Sequence, residues 1–414
     1  VNGEPAVVTP AMEAPQQRDP RHLSDPRSGR RYPLDPLRWR GDDGTPLLVS
    51  PARGLAPADI ETADRSLWRY RAALPALHTA QTGPGTSGPP ARAAQPAVRP
   101  VSLGEGCTPL LRWTWGGVEV GFKLEWFNPS GSFKDRGSSV MISALAAQGV
   151  GEVLEDSSGN GGSSVAAYCA AAGVDATILV PEHTSPAKTL QATAYGARVT
   201  PIPGDRDATA AAALRRAEHT VYASHNWHPY FLEGTKTLAY EIWEDLGFRA
   251  PDAVVTVAGA GSTVLGCDLG FGELLDAGQI AARPRLLVAQ PANCAPLHAA
   301  FHAGRDTPVP GGWQPTLAEG TAIKEPIRLP EVLAAVRRSG GSTAAIPEAD
   351  IASAVRRLAA TGLYAEPTSA TAAAAVEVFA ARGQLRPGGT TVVILTGSAL
   401  KAPTAMATLV EGAP

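Results

Sequence analysis

Lysine is scarce in this chain of 414 residues, occurring only at Lys123, Lys134, Lys188, Lys236, Lys324 and Lys401. Charge of either sign is modest. The 36 basic residues stand against 39 acidic ones, a formal net charge of −3, and no basic excess marks a nucleic-acid surface. Long hydrophobic runs are missing; none approaches the roughly 20 residues that cross a bilayer, so no membrane partner is expected. The first sixteen residues hold neither Lys nor Arg nor a sustained apolar stretch. Both parts of a secretory signal are therefore lacking, and a cytoplasmic protein is expected. The four cysteines, Cys107, Cys169, Cys267 and Cys294, come no nearer to one another than 27 positions. That spacing excludes a C-x-x-C redox pair and a zinc knuckle. Buried thiols, and no metal, are the expectation.

What is present suffices for a packed globule: 44% of the residues are hydrophobic, in a length that suits two or three domains. Residues 1 to about 100 are rich in Pro, Arg and Gly, with a linker-like stretch from Thr79 to Pro100, so an arm precedes the body. Within the arm, Ser66 to Leu77 has the spacing of a short amphipathic helix, a structural strap docked through Leu67, Trp68 and Leu74. From Val101 onward, β-branched runs alternate with Ala-rich stretches, the rhythm of an α/β fold with a largely parallel sheet covered on both faces. Strands are predicted at Val118 to Trp126, Ala176 to Pro181, Arg198 to Pro203, Ala253 to Ala258, Arg285 to Gln290 and Thr391 to Thr396. Helices are predicted at Ala208 to Glu218 and Ser369 to Ala381, the second so rich in Ala that it must lie close to its neighbour.

Four segments sit where a strand hands over to a helix, the place where open α/β sheets bind ligands. In Asn128 to Gly137, NPSGSFKDRG, Lys134 falls near a helix N-terminus, which favours anions. Such a lysine is either paired with Asp135 or put to use, for instance in a Schiff base with an aldehyde cofactor. Glu155 to Ser164, EDSSGNGGSS, offers successive backbone N–H groups and an amide: a nest for a carboxylate or phenolate, or an ordinary Gly/Ser turn. Val257 to Gly266, VAGAGSTVLG, lets the backbone approach a phosphate, with Ser262, Thr263 and a helix N-terminus as donors. Its glycines are spaced G-x-G-x-x-x-x-G, which counts against a dinucleotide. Thr391 to Leu400, TVVILTGSAL, ends a strand with Thr396 and Ser398, hydroxyls that can satisfy a ring nitrogen without protonating it or can cap a helix.

Together these segments resemble the pyridoxal-phosphate enzymes of fold type II, the tryptophan-synthase β-like family, and within it threonine synthase. The resemblance is carried in family order by VSLGEGCTPLL (Val101 to Leu111), NPSGSFKDRG, SSGN, FLEGTKTLAYEIWEDLGFRAPD (Phe231 to Asp252), AEGTAI (Ala318 to Ile323), YAEPTSA (Tyr364 to Ala370) and LTGSALK (Leu395 to Lys401). It implies two open, twisted, mostly parallel αβα domains with an N-terminal arm: a large one from residues 101–133 and 221–414, and a smaller mobile one from residues 134–220. It implies pyridoxal 5′-phosphate as cofactor, with Lys134 as the Schiff-base lysine and proton shuttle. Ser157, Ser158 and Gly159 would bind the substrate carboxylate and Asn160 the phenolic oxygen. Gly259, Ala260, Gly261, Ser262 and Thr263 would hold the phosphate, and Thr396 would face the pyridine nitrogen, with Ser398 in reserve. A neutral hydroxyl there suits α-deprotonation followed by β- or γ-elimination and disfavours transamination. A homodimer is implied as well.

Three departures bear on the reaction. Gly41, Asp42, Asp43 and Gly44 stand where relatives often carry paired cysteines, VPEHTSPAKTL (Val180 to Leu190) differs from the corresponding segment of threonine synthases, and Ala399 replaces a second glycine. The leading expectation is a lyase that eliminates phosphate from O-phosphohomoserine and adds water to give threonine. It requires a second anion site, for which His183, Lys188, Arg136 and Ser185 are candidates. The alternative is a β-eliminating or β-replacing enzyme, either a serine or threonine ammonia-lyase or a specialised-metabolism synthase, acting on an amino acid without a second phosphate site. A non-enzymatic cofactor-binding homologue is a third reading, against which intact Lys134, Asn160 and Thr396 argue. His225, Trp227 and His228, at the start of the Phe231 to Asp252 match, are placed to border the site, and without an acidic or Cys companion they read as a packed aromatic loop rather than a metal site.

Overall fold

A computed structural model describes residues 21–77 and 99–411. The linker-like stretch predicted from Thr79 to Pro100 lies almost wholly outside them. In chain order the strands are β1 (His22–Ser24), β2 (Arg31–Pro33), β3 (Leu48–Val49), β4 (Leu110–Trp115), β5 (Val118–Leu124), β6 (Glu152–Glu155), β7 (Asp175–Pro181), β8 (Arg198–Ile202), β9 (Val221–Tyr222), β10 (Ala253–Val257), β11 (Arg285–Pro291), β12 (Ser342–Ile346) and β13 (Thr391–Leu395). The helices are α1 (Lys134–Ala147), α2 (Asn160–Ala172), α3 (Pro186–Ala194), α4 (Arg206–Arg216), α5 (Pro229–Thr235), α6 (Thr237–Asp245), α7 (Ser262–Asp276), α8 (Pro296–His302), α9 (Leu329–Arg338), α10 (Glu348–Ala360), α11 (Pro367–Ala381) and α12 (Pro403–Glu411).

Three sheets result, in the orders β2-β1-β3, β12-β11-β10-β13-β5-β4 and β8-β7-β6-β9. The six-stranded sheet is parallel except for the edge strand β4, which runs antiparallel to β5. The four-stranded sheet is parallel throughout. This is the fold type II architecture. β9 at 221–222 belongs to the smaller sheet, so that unit runs past position 220.

The β-branched runs explain why these strands are central. β10 (AVVTV) and β13 (TVVIL) are buried along their whole length, the pattern of parallel strands covered on both faces. Side chains alternate between the two covers. Val255, Leu287, Val393 and Leu395 join one core with α10 and α11, whereas Val254, Leu286, Val288, Val392 and Ile394 join the other with α6, α7 and α9. α11 fulfils the closeness expected of its alanines: Ala370, Ala372, Ala373 and Ala375 are fully buried, and the Trp115 indole donates to the Ala373 carbonyl at 2.8 Å.

The arm is built into both units. Leu23, Tyr32, Leu47, Val49, Leu67 and Trp68 share a core with α1 and α2, while Leu55, Ile60, Tyr70 and Ala73 share one with α6 and α7. The predicted strap helix is a 3-10 segment, Leu67–Ala73, shorter than expected because its backbone bends at Tyr70 and the chain is extended from Leu74 into Pro75. Leu67, Trp68 and Leu74 are buried as predicted. Gly41 to Gly44 form a turn closed by backbone hydrogen bonds, and Asp42 pairs with Arg30 and Arg38. Three cysteines are buried, but Cys107 is exposed, contrary to expectation; it follows Gly106 in a bend with φ 48°.

Candidate active site

A cavity of 380 Å³ opens between the two parallel sheets, and all four handover segments line it. Lys134 is the first residue of α1. Its neighbour Asp135 is not its partner: the Asp135 carboxylate accepts from the Ser130 amide at 2.6 Å and from the Ser130 and Ser164 hydroxyls at 2.5 and 2.6 Å. Among the described residues the Lys134 Nζ forms no ion pair; the rings of Phe133 and Phe231 lie 4.8 and 5.6 Å from it. Water reaches the lysine through the cavity, yet protein surrounds it, and burial lowers its pKa to about 7 against the opposing pull of Glu155.

β6 delivers Ser157, Ser158, Gly159 and Asn160 to the same cavity. The first turn of α2 behind it is packed too closely for side chains at two positions, although Gly159 itself has open space around it. A Cβ at Gly162 would come 2.0 Å from the Ser157 carbonyl oxygen, and one at Gly161 would come 2.7 Å from His225 Nδ1. The Asn160 amide donates to both oxygens of Glu366, at 3.1 and 3.3 Å. Burial raises the Glu366 carboxyl to about 7, although that hydrogen bond favours its charged form.

β10 leads to Gly259, Ala260 and Gly261, then into the 15 residues of α7. Gly261 has φ 89°, and a Cβ there would press on Val332 at 2.3 Å. Ser262 opens the helix, whose N-terminal N–H groups face the cavity as an anion site. The Thr263 hydroxyl is committed to the Val257 carbonyl at 3.1 Å. β13 ends at Leu395, so Thr396 follows directly; its hydroxyl lines the cavity 3.1 Å from that of Ser369. Ser398 does not line it: its hydroxyl accepts from the Leu400 amide and caps the following turn.

The four residues proposed for a second anion separate. Arg136 is fully buried and forms ion pairs with Glu125 and Glu241, at 2.7 and 2.9 Å, so its charge is already neutralised. His183 and Ser185 are exposed and do not line the cavity. Lys188 lines the rim, where it pairs with Glu319. The sequence reading missed Arg206, the first residue of α4, which lines the cavity with no hydrogen bond or ion pair among the described residues. It also missed Glu366, Lys401 and the wall made by Leu317, Glu319, Gly320 and Thr321. No spacing links these residues to the lysine; the signal on offer was the presence of Glu366 in YAEPTSA, of Glu319, Gly320 and Thr321 in AEGTAI, and of Lys401 in LTGSALK. Trp227 and His228 do pack in an aromatic loop: Trp227 meets the Trp39 ring edge-on at 5.3 Å, and His228 Nδ1 accepts from the Tyr230 amide. His225 instead lines the cavity.

A half-buried lysine with no ion pair among the described residues thus faces a glycine cradle at a helix N-terminus, with a neutral hydroxyl at a third wall. These features fit pyridoxal phosphate. The family model of pyridoxal-phosphate dependent enzymes matches residues 101–397. The chain belongs to that family. Threonine synthase from Methanosarcina acetivorans is 31% identical over 312 residues, 73% of this chain and 77% of the relative. Threonine synthase from Methanocaldococcus jannaschii is 34% identical over 74% of this chain and 77% of the relative. Among solved structures, a threonine deaminase from T.th. superposes with a TM-score of 0.60 at 26% identity, covering 70% of this chain and 92% of that one. Maize serine racemase, at 21% identity and a TM-score of 0.62 over 74% of this chain and 92% of that one, shares the fold. Family and relatives together make this chain a pyridoxal-phosphate-dependent lyase similar to threonine synthase.

Proposed function

We propose that the enzyme eliminates phosphate from O-phosphohomoserine and adds water to give threonine. The observation that carries this reading is Arg206, a guanidinium with no hydrogen bond or ion pair among the described residues, in the same cavity as Lys134, in addition to the glycine cradle at α7. One anion site suffices for a cofactor phosphate; a second cation suits a phosphorylated side chain. The curated relatives named threonine synthase support the same substrate.

Bound pyridoxal phosphate supplies the electron sink for the pair left when the substrate Cα–H bond breaks. Lys134 holds the cofactor and moves protons at Nζ, and its pKa near 7 leaves much of it neutral and able to accept one. The α7 N-terminus and Gly259 to Ser262 hold the phosphate, Asn160 orients the phenolic oxygen, and the turn from Ser157 to Gly159 holds the carboxylate. Thr396 accepts or donates a hydrogen bond at the ring nitrogen without giving up a proton. The two units, tied at the cavity rim by Lys188 and Glu319, close around the substrate and exclude water. A cytoplasmic homodimer completes the reading; sedimentation of the purified protein checks the assembly.

A β-eliminating enzyme is the second reading. Glu319 takes up the charge of Lys188, the only one of the four anion candidates named from sequence that stands at the rim, and leaves Arg206 as the one unpaired guanidinium among the described residues lining the cavity. The deciding experiment incubates the enzyme with O-phosphohomoserine, L-serine and L-threonine while phosphate, ammonia and 2-oxoacid are assayed. Phosphate released from O-phosphohomoserine, with KM raised at least about tenfold by Arg206→Gln, supports threonine synthesis. Ammonia from L-serine or L-threonine without phosphate release moves the function to β-elimination.

A further inference from the structure

The wall beside Lys134 carries an acid and an imidazole that the reaction above does not use. Glu155, the last residue of β6, is fully buried, and its Oε1 lies 2.5 Å from His225 Nδ1. Its Oε2 accepts from the His225 backbone amide at 3.2 Å, which fixes the carboxyl against the ring. The imidazole stands edge-on to Phe231 at 5.9 Å, the same ring that lies beneath the Lys134 ammonium. Arg328 holds the loop from behind by donating to the Asn226 and Trp227 carbonyls at 3.0 and 2.6 Å.

Several of the buried glutamates near this centre are neutralised by cations, while Asp135 and Glu366 are held by serine hydroxyls and an amide. Glu125 and Glu241 share Arg136, and Glu233 and Glu273 share Lys236. Glu155 has no such partner among the described residues, only an imidazole. His225 lines the cavity, and its Nε2 has no hydrogen-bond partner among the described residues. A pair meant only to fill the core would not leave one ring nitrogen uncommitted at the wall of a substrate cavity. The charged and titratable groups facing the pair are Lys134 on α1, Asp156 after β6, Cys169 on α2, Tyr222 on β9 and Arg206 on α4.

We propose that Glu155 and His225 form a proton relay that protonates the departing oxygen of the substrate, a second acid–base unit beside Lys134; this rests on the elimination reading above. In the resting pair the Glu155 carboxyl donates its proton to Nδ1, which places the imidazole proton on Nε2. As the carbon–oxygen bond breaks and its electron pair leaves with the oxygen, Nε2–H gives its proton to that oxygen and Nδ1 takes the proton of Glu155. The products are a protonated leaving group, a neutral imidazole with its proton on Nδ1, and a Glu155 carboxylate facing Lys134 and Arg206. One proton from water restores the pair. The electrostatics agree: burial raises the Glu155 carboxyl to about 8 and pushes His225 well below its ordinary range, so near neutral pH the acid carries the proton and the ring is uncharged.

The test has two arms on the holoenzyme. In ¹⁵N-histidine-labelled wild type, with the His225 signal assigned by its loss in His225→Gln, the neutral Nε2–H tautomer is expected at pH 7; an Nδ1–H tautomer or a charged ring would overturn the relay. Glu155→Gln keeps a donor to Nδ1 but cannot surrender a proton. It should slow leaving-group release by about 100-fold or more and remove the alkaline limb near pH 8, while exchange of the substrate α-proton with deuterated water continues. Unchanged release, or release and exchange falling in parallel, overturns the relay and leaves the elimination reading intact. A wild-type enzyme that frees neither phosphate nor ammonia defeats the elimination reading itself.

Discussion

Lys134 gains its reactivity from place rather than type. An ammonium at a helix N-terminus, enclosed by protein and with no carboxylate ion pair among the described residues, is cheaper to hold neutral than charged, and its pKa falls to about 7. Lys134→Ala should therefore abolish the visible absorbance of bound cofactor and all turnover, while the protein remains folded by circular dichroism. Glu366 gives a prediction for the cofactor-free protein. Its carboxyl rises from an ordinary 4.5 to about 7, so the folded state holds a proton that the unfolded chain has lost. That stabilisation is full below pH 4.5 and disappears as pH rises through 7, a change on the order of 3 kcal/mol for one such group. Glu366→Gln should flatten this part of the stability profile in urea titrations at successive pH values. Lys134 and the glycine cradle were legible from local sequence, because a lysine or a run of glycines is odd wherever it stands. Arg206 was not: an arginine opening a helix after Asp205 is unremarkable until the fold turns it toward the cavity, whereas His225 could be placed near the site only through the motif that follows it.

At the scale of elements, the site depends on what holds α1 and α7. α1 is fastened through Arg136, whose guanidinium reaches Glu125 after β5 and Glu241 on α6 with no exposure to solvent. The sequence, two residues after Lys134, offered this arginine as a candidate for the second anion, and only packing shows that it is an anchor and not a substrate ligand. Arg136→Leu strands two carboxylates in the interior, and a loss of about 3–5 kcal/mol is expected by urea denaturation, with Lys123 still neutralising part of Glu241. α7 begins at a left-handed residue pressed against Val332. Gly261→Ala should cost about 1 kcal/mol or more through φ alone and weaken cofactor binding, measured by titrating the cofactor-free protein. Strands β10, β11 and β13 could be read from sequence because burial on both faces leaves continuous apolar runs. β4 and β12 could not, since LLRWTW carries an arginine at a sheet edge and STAAI is nearly featureless.

For the whole molecule, the arm is part of both cores, so it behaves as a strap across the cavity's two walls. Trp68 is buried against α1 and donates to the Ser139 hydroxyl at 2.9 Å, while Arg69 and Tyr70 of the same segment reach Glu244 on α6. Trp68→Ala should destabilise by about 3–5 kcal/mol, and one cooperative thermal transition should persist, since the arm is not a separable unit. Adding cofactor should raise the transition temperature of wild type and leave that of Lys134→Ala far less affected. The sequence by itself determined the α/β class, the runs that form β5, β7, β8, β10, β11 and β13, and the four local segments that line the cavity. Those features are local: they rest on periodicity, on glycine geometry and on residue types out of place. The tertiary structure alone decided which charges are already spent on one another, as Arg136 and Lys188 are, and which have no ion pair among the described residues, as Arg206 has none. It also decided that Glu155 meets His225, a pairing across 70 positions that no local pattern encodes, because it exists only once β6 and the loop after β9 lie side by side.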